Sequence, residues 1–192
     1  MRLQAALVVT TFAVLLLSNP AAAQVKPMKK IEKSVLVPAP VPEVWKAFTT
    51  VEGVTTFFAP EARLELKLGG AFEMLFAPER PADSQGSEGC TVLSFVPGKM
   101  LSFTWNAPPA FPAVRSGGEH TFVVVELEPA GAGKTRVTLT HLGWFEGGEW
   151  DQVFAYFERA WGVVLGRLAH RFEKGPLDWK NPWTPEAPSK PK

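Results

Sequence analysis

From Thr135 to His141, in TRVTLTH, polar and apolar residues alternate. Arg136, Thr138 and Thr140 share one face; Val137, Leu139 and His141 share the other. A period of two predicts a strand with one face against a core. HTFVVVELE alternates in the same way, with His120, Phe122, Val124, Glu126 and Glu128 on one parity, and its two glutamates mark the wet side. Glycines at 131 and 133 join these two strands. In ARLELKL the residues Leu64, Leu66 and Leu68 predict one face, with Gly69-Gly70 as a two-residue hairpin turn. The returning AFEMLF puts Phe72, Met74 and Phe76 together and turns Glu73 toward water. GCTVLSFV and KMLSFTW predict a hairpin about Pro97-Gly98, with Leu101, Phe103 and Trp105 on one face. IEKSVLV is a first strand, ended by Pro38 and Pro40, which cannot donate to a ladder. Strands joined by short turns predict an antiparallel meander with one covered face.

Helical spacing appears at both ends of this meander. VPEVWKAFTTVEGVTTFF places Val41, Val44, Trp45 and Phe48 on one side, with Pro42 and Glu43 in the first turn, and Gly53 divides it from a second short helix. From Glu149 to Lys174 the pattern predicts one long helix. Trp150, Val153, Phe154, Phe157, Trp161, Val164, Leu165, Leu168 and Phe172 fall in one apolar arc. Gln152, Tyr156, Arg159, Arg167 and His170 lie opposite. Acids at its start and basic residues at its end suit the helix dipole, and Gly175-Pro176 stops it. NAPPAFPAVRSGG is too rich in proline for a central strand and is read as a long loop. Residues 175–192 form a proline-rich tail, read as a flexible end, although Trp179 and Trp183 give its first part something to pack with.

The amino terminus changes the expected compartment. Arg2, an apolar run from Ala5 to Leu17, and Ala21-Ala22-Ala23 have the form of an export signal cleaved before Gln24. The run is short of the about 20 residues a membrane span takes. Residues 1–23 are therefore read as a signal peptide, and the rest as an exported protein, periplasmic or extracellular, without stable membrane insertion. The chain carries 20 Lys and Arg against 19 Asp and Glu, so nothing draws it to nucleic acid at long range. The single cysteine, Cys90, permits no internal disulfide. The fold must stand on its core.

Several blocks taken together resemble a known family. VLVPAPVPEVWKAFTTVEGVTTFFAP, LKLGGAFEMLF, VPGKMLSFTW and GKTRVTLTHLGW look like successive blocks of the SRPBCC (START-like) superfamily. The similar branch is that of the C-terminal domain of activators of the heat-shock-protein-90 ATPase. The likeness spans about residues 29–173. It implies an α+β helix-grip fold over residues 29–174, a curved antiparallel sheet wrapped around the long helix, with a hydrophobic cavity between them. Members of the superfamily bind lipids, polyketides or other apolar molecules; some are cyclases or dehydratases and some co-chaperones. The branch shares no catalytic motif that could be carried over. An export signal argues against the co-chaperone role, because the cytoplasmic chaperone would not be met.

The candidate chemistry is sparse. There is no G-x-S-x-G, G-x-G-x-x-G or phosphate-binding loop, so no cofactor is called for. His120, His141 and His170 fall on different faces, and no Cys or His pair has metal-ligand spacing. Cys90 reads as a small buried hydrophobe. His141 points inward and carries two readings. It is a polar group that, with Trp105, marks the cavity mouth, orienting a ligand or acting as a base, or it is a histidine hydrogen-bonded beside the helix start. Phe72, Met74, Phe103, Trp105, Phe157 and Trp161 face one another across the gap, as core or as cavity wall. Gly162 and Gly166, with Ala155 and Ala169, form a small-residue stripe that indicates either close packing or space for a ligand. The loops 77–88 and 107–118 are expected as lids. These residues point to binding of a hydrophobic small molecule. An enzyme with His141 as general base, and an interaction module using the tail tryptophans, remain as alternatives.

Overall fold

The computed structural model describes residues 28–185. Residues 1–27, on which the expected export signal falls, and the last seven residues of the tail lie outside them. The elements run β1 (Ile31–Val37), α1 (Val41–Thr49), α2 (Val51–Val54), β2 (Glu61–Leu64), β3 (Phe72–Leu75), β4 (Val92–Val96), β5 (Met100–Trp105), α3 (Pro112–Ser116), β6 (Thr121–Pro129), β7 (Thr135–Leu142) and α4 (Glu149–Lys174). The five-stranded antiparallel sheet has the order β1-β7-β6-β5-β4, and β2 and β3 form a separate ribbon. Bonds from Phe72 N to Cys90 O and from Val92 N to Gly70 O tie that ribbon to the start of β4. The long helix α4 lies across the concave side, and this is the helix-grip arrangement expected.

The alternations in β6 and β7 fall as their patterns predict. Thr121, Val123, Val125 and Leu127 are buried on β6, and Thr135, Val137, Leu139 and His141 on β7, while Glu126, Glu128 and Arg136 are exposed. On α4 the buried residues are Val153, Phe157, Trp161, Val164, Leu165 and Leu168. Their arc meets Ile31 of β1, Val37, Leu139 and the α1 residues Val44 and Phe48 in one core. Gly175, at φ 102°, ends the helix, and its amide donates to Arg171 O; only glycine takes that conformation without strain.

Three expectations need correction. The alternation of ARLELKL stops early: β2 ends at Leu64, and the connection to β3 runs over residues 65–71 instead of two glycines. Leu68 is 71% exposed and Phe76 44% exposed, so neither shares the buried face of Leu64, Phe72 and Met74. Both lie past the paired register, where the backbone no longer enforces a period of two. Glu73 is not free in water. Its carboxylate pairs with Arg63 at 2.6 Å and accepts from Gly89 N at 2.8 Å. The loop after Asn106 contains α3, whose Pro112 opens a helix without losing a needed donor.

The first part of the tail packs on the domain. Leu177 N and Trp179 Nε1 donate to the Thr56 and Thr55 carbonyls, at 3.0 and 2.6 Å. Trp183 stacks on His170, with centroids 4.3 Å apart. Pro185 lies over Gly166, where a Cβ would come within 3.1 Å of its ring. The close-packing reading of the small-residue stripe therefore holds at Gly166. At Gly162 a Cβ would meet nothing within 4 Å, and that glycine faces solvent. Trp179 is half-buried and so is not an exposed contact for a partner.

Candidate functional site

A cavity of about 420 Å³ lies on the flank of α4, between the helix, the end of β5 and the loops 77–88 and 106–109. Its floor is aromatic. Phe58, wholly buried, lies beneath it, with ring centroids 5.7 Å from Trp105 and 6.0 Å from Trp161. Trp105 and Trp161 are 5.4 Å apart, and Phe157 stacks on Trp161 at 5.8 Å. Phe76 closes one side against Phe58 and Trp105. Polar groups come from Arg80, Gln85, Asn106, Tyr156, Arg159 and Arg167. The volume falls within the about 300–1,000 Å³ typical of small-molecule sites, which are mostly apolar with few polar groups.

One wall is made by two loops bound to each other through Arg115. Its guanidinium donates to the carbonyls of Asp83, Gly86 and Ala107 and to the Glu88 carboxylate. Glu88 in turn accepts from the amides of Gln85 and Gly86. Glu149, at the start of α4, accepts from Val114 N of α3 at 3.0 Å. Gln85 is held by its Nε2, which donates to the Pro78 and Arg80 carbonyls. That fixes the amide's orientation and leaves Oε1 buried without a partner. The unpaired acceptor marks a place in the wall where a donor from a ligand or a water would be satisfied.

Of the residues singled out in the sequence, Trp105, Phe157 and Trp161 line this cavity, with Trp105 buried in its floor and not at the mouth. Phe72, Met74 and Phe103 are buried in the core beyond it, with Phe72 stacked on Phe103 at 4.0 Å. Gly162 and Gly166 are outside it, one toward solvent and one beneath the tail. His141 is not at the mouth. It is 0% exposed, and both ring nitrogens are engaged. Trp161 Nε1 donates to Nδ1 at 2.9 Å, so Nε2 carries the proton and donates to Thr121 Oγ1 at 2.6 Å. Thr121 Oγ1 then donates to the Trp105 carbonyl at 2.9 Å. Burial holds the His141 pKa down to about 3. It is a neutral pin that fixes the indole of Trp161 from behind. Of the two readings, the hydrogen-bonded histidine describes it, but its partner on α4 is Trp161, well past the start of the helix at Glu149. Cys90 is buried as expected, and burial pushes its thiol up to about 12.

The face of α4 opposite its apolar arc reads as solvent-facing in the sequence, yet it supplies much of the site. Tyr156, Ala160, Val163 and Arg167 are spaced at i, i+4, i+7 and i+11. They form a second stripe on the helix flank, and that spacing is the signal that identifies it. Burial raises the Tyr156 pKa and lowers that of Arg167. Phe58 carries no periodic signal, because it follows Phe57 directly and both are wholly buried.

A sheet gripping a helix, with an aromatic cavity on the helix flank, can be compared with known proteins. The model of the family described as Activator of Hsp90 ATPase homolog 1-like protein matches residues 38–173. The chain belongs to this family. Among solved structures, this Activator of Hsp90 ATPase homolog 1-like chain is similar to protein MLL2253 of Mesorhizobium loti. The TM-score is 0.61 at 20% identity, covering 78% of this chain and 100% of that one. It is also similar to the Aha1 dimer of Colwellia psychrerythraea, with a TM-score of 0.57, 20% identity and coverage of 77% and 98%. DynU16, a protein of the dynemicin biosynthetic locus, gives a TM-score of 0.58 at 25% identity; the match covers 78% of this chain and 49% of DynU16. No curated protein gives a significant match. At these identities the structures agree in fold.

Proposed function

We propose that this protein binds a hydrophobic small molecule, lipid-like or aromatic, outside the cytoplasm. The observation that carries the reading is the 420 Å³ cavity whose floor is Phe58, Trp105, Phe157 and Trp161. Such a floor offers apolar burial, about 25 cal/mol per Å² of area removed from water, and ring faces for stacking. A fully satisfied network pins it from below, so the cavity is held open before a ligand arrives, which lowers the ordering cost of binding. The membership of DynU16 in a biosynthetic locus is in keeping with a small organic ligand. Among the described residues no helix is long and apolar enough to cross a membrane.

His141 has no free nitrogen and no opening to the cavity, so the enzymatic alternative loses its base. Ala160 lies in the wall, and Ala160→Trp is expected to fill the space and abolish uptake of apolar molecules from a lipid and aromatic library while leaving the circular dichroism spectrum unchanged. Mass spectrometry of extracts from the protein purified from its native host is expected to show a bound apolar compound. Protein that is empty in every preparation and takes up nothing from the library would end the binding reading. For export, residues 1–27 fused to an alkaline phosphatase that is active only outside the cytoplasm are expected to give activity. An inactive, stably expressed fusion would remove that part.

A further inference from the structure

The charge around the cavity is one-sided. Arg80, Arg159 and Arg167 line it, and no aspartate, glutamate or lysine does. This is an unexpected concentration in a chain with 20 basic and 19 acidic residues. Glu79 and Glu158 are sequence neighbours of two of these arginines, yet neither lines the cavity. The ion pairs among the described residues are Lys29–Asp151, Lys30–Glu32, Arg63–Glu73, Lys67–Glu65 and Arg115–Glu88. The three arginines at the cavity belong to none of them.

Arg167 is the most constrained of the three. Its Nε donates to the Trp183 carbonyl at 3.0 Å, and its guanidinium lies 5.5 Å from the centre of the Trp179 ring. The tail thus fixes the guanidinium from the outer side. The two terminal nitrogens, which can grip two oxygens of one anion, make no hydrogen bond to the described residues. Arg167 is also half-buried, and burial depresses its pKa. A partly desolvated cation without a counter-ion is costly, and an anion delivered by a ligand would offset that cost. A solvated arginine has no need of a strap; one held for recognition does.

We infer that the ligand is an organic anion: an apolar or aromatic body seated on the Phe58, Trp105 and Trp161 floor, with a carboxylate, sulfonate or phosphate at the arginine-lined rim. This rests on the binding reading above and narrows it to one class of molecule. Arg159 lies eight residues before Arg167 on the same helix, and Arg80 comes from the loop, so the cationic rim is built from two elements of the wall. The tail acts as a positioning element for Arg167.

The test uses two fluorescent probes with the same aromatic body. 1-Anilinonaphthalene-8-sulfonate carries a sulfonate; N-phenyl-1-naphthylamine is neutral. The full-length protein is expected to bind the sulfonate at least about ten-fold more tightly at low salt, the scale of one charge-assisted hydrogen bond. The preference should shrink as salt is raised. In the triple variant Arg80→Gln, Arg159→Gln, Arg167→Gln, the sulfonate's affinity should fall to that of the neutral probe. The neutral probe should shift by less than about two-fold, which also shows that the variant is folded. Arg136→Gln, on the exposed face of β7, is expected to leave the preference intact. Equal binding of the two probes, or a preference that survives the triple variant, overturns the anion assignment and leaves the apolar cavity standing. If neither probe binds, or both remain bound in Ala160→Trp, the binding reading falls and the assignment falls with it.

Discussion

Replacing His141 with alanine is expected to cost about 3–5 kcal/mol of folding stability, measured by denaturant unfolding. The substitution leaves a void in a fully buried site and strands two polar groups at once: the Trp161 indole N–H and the Thr121 hydroxyl oxygen. The wild-type network also predicts an acid sensitivity with a definite sign. His141 has an ordinary value of 6.5 in the unfolded chain and about 3 in the fold, because burial disfavours its charged form. The unfolded chain therefore takes up a proton that the fold refuses. The stability this group contributes is fully present above about pH 6.5 and is lost as pH falls toward about 3, by up to about 1.4 kcal/mol per pH unit. His141→Gln does not titrate there, so its stability profile should be flatter than the wild-type one by that slope. Parallel profiles between pH 4 and 6.5 would show that His141 is not the group responsible.

The second large effect is expected from Arg115→Met. One guanidinium holds three backbone carbonyls and the Glu88 carboxylate, and both partners of the ion pair keep only 15% of their side-chain surface exposed. Breaking such a pair typically costs about 3–5 kcal/mol, because a partly buried carboxylate is left unpaired. The loss should be local before it is global. Hydrogen exchange is expected to accelerate at residues 81–89 and 107–117 and to stay slow in β6 and β7. Cavity probes should bind more weakly, since that wall is no longer fixed. Unchanged exchange in both loops would mean that Arg115 is not what holds them.

The sequence announces the parts of this molecule that repeat and is silent on those that do not. Val137, Leu139 and His141 are identifiable as inward because β7 is paired on both sides and keeps its period from end to end. Leu68 misleads because pairing in β2 ends at Leu64, and alternation without a partner strand carries no constraint. The inward direction of His141 is legible, but its depth is not. That depends on Thr121 and Trp161, each 20 residues away along the chain. The Arg115–Glu88 clamp joins two irregular segments, where no periodicity marks which residues meet. The cavity lies on the flank of α4, where the edge of its apolar arc meets Tyr156, Ala160 and Arg167, because the site occupies the seam between helix and loops. Tyr156 and Arg167 look like solvent-facing residues until those loops are in place.

Cys90 has a consequence for following the molecule in motion. It is the chain's single cysteine, wholly enclosed at the junction of the β2–β3 ribbon with β4, with its thiol pushed up to about 12. In that state it is almost entirely the unreactive thiol. An alkylating reagent can modify it only while the junction is open. The modification rate therefore works as a clock, counting excursions of this seam in a protein that needs no engineered label.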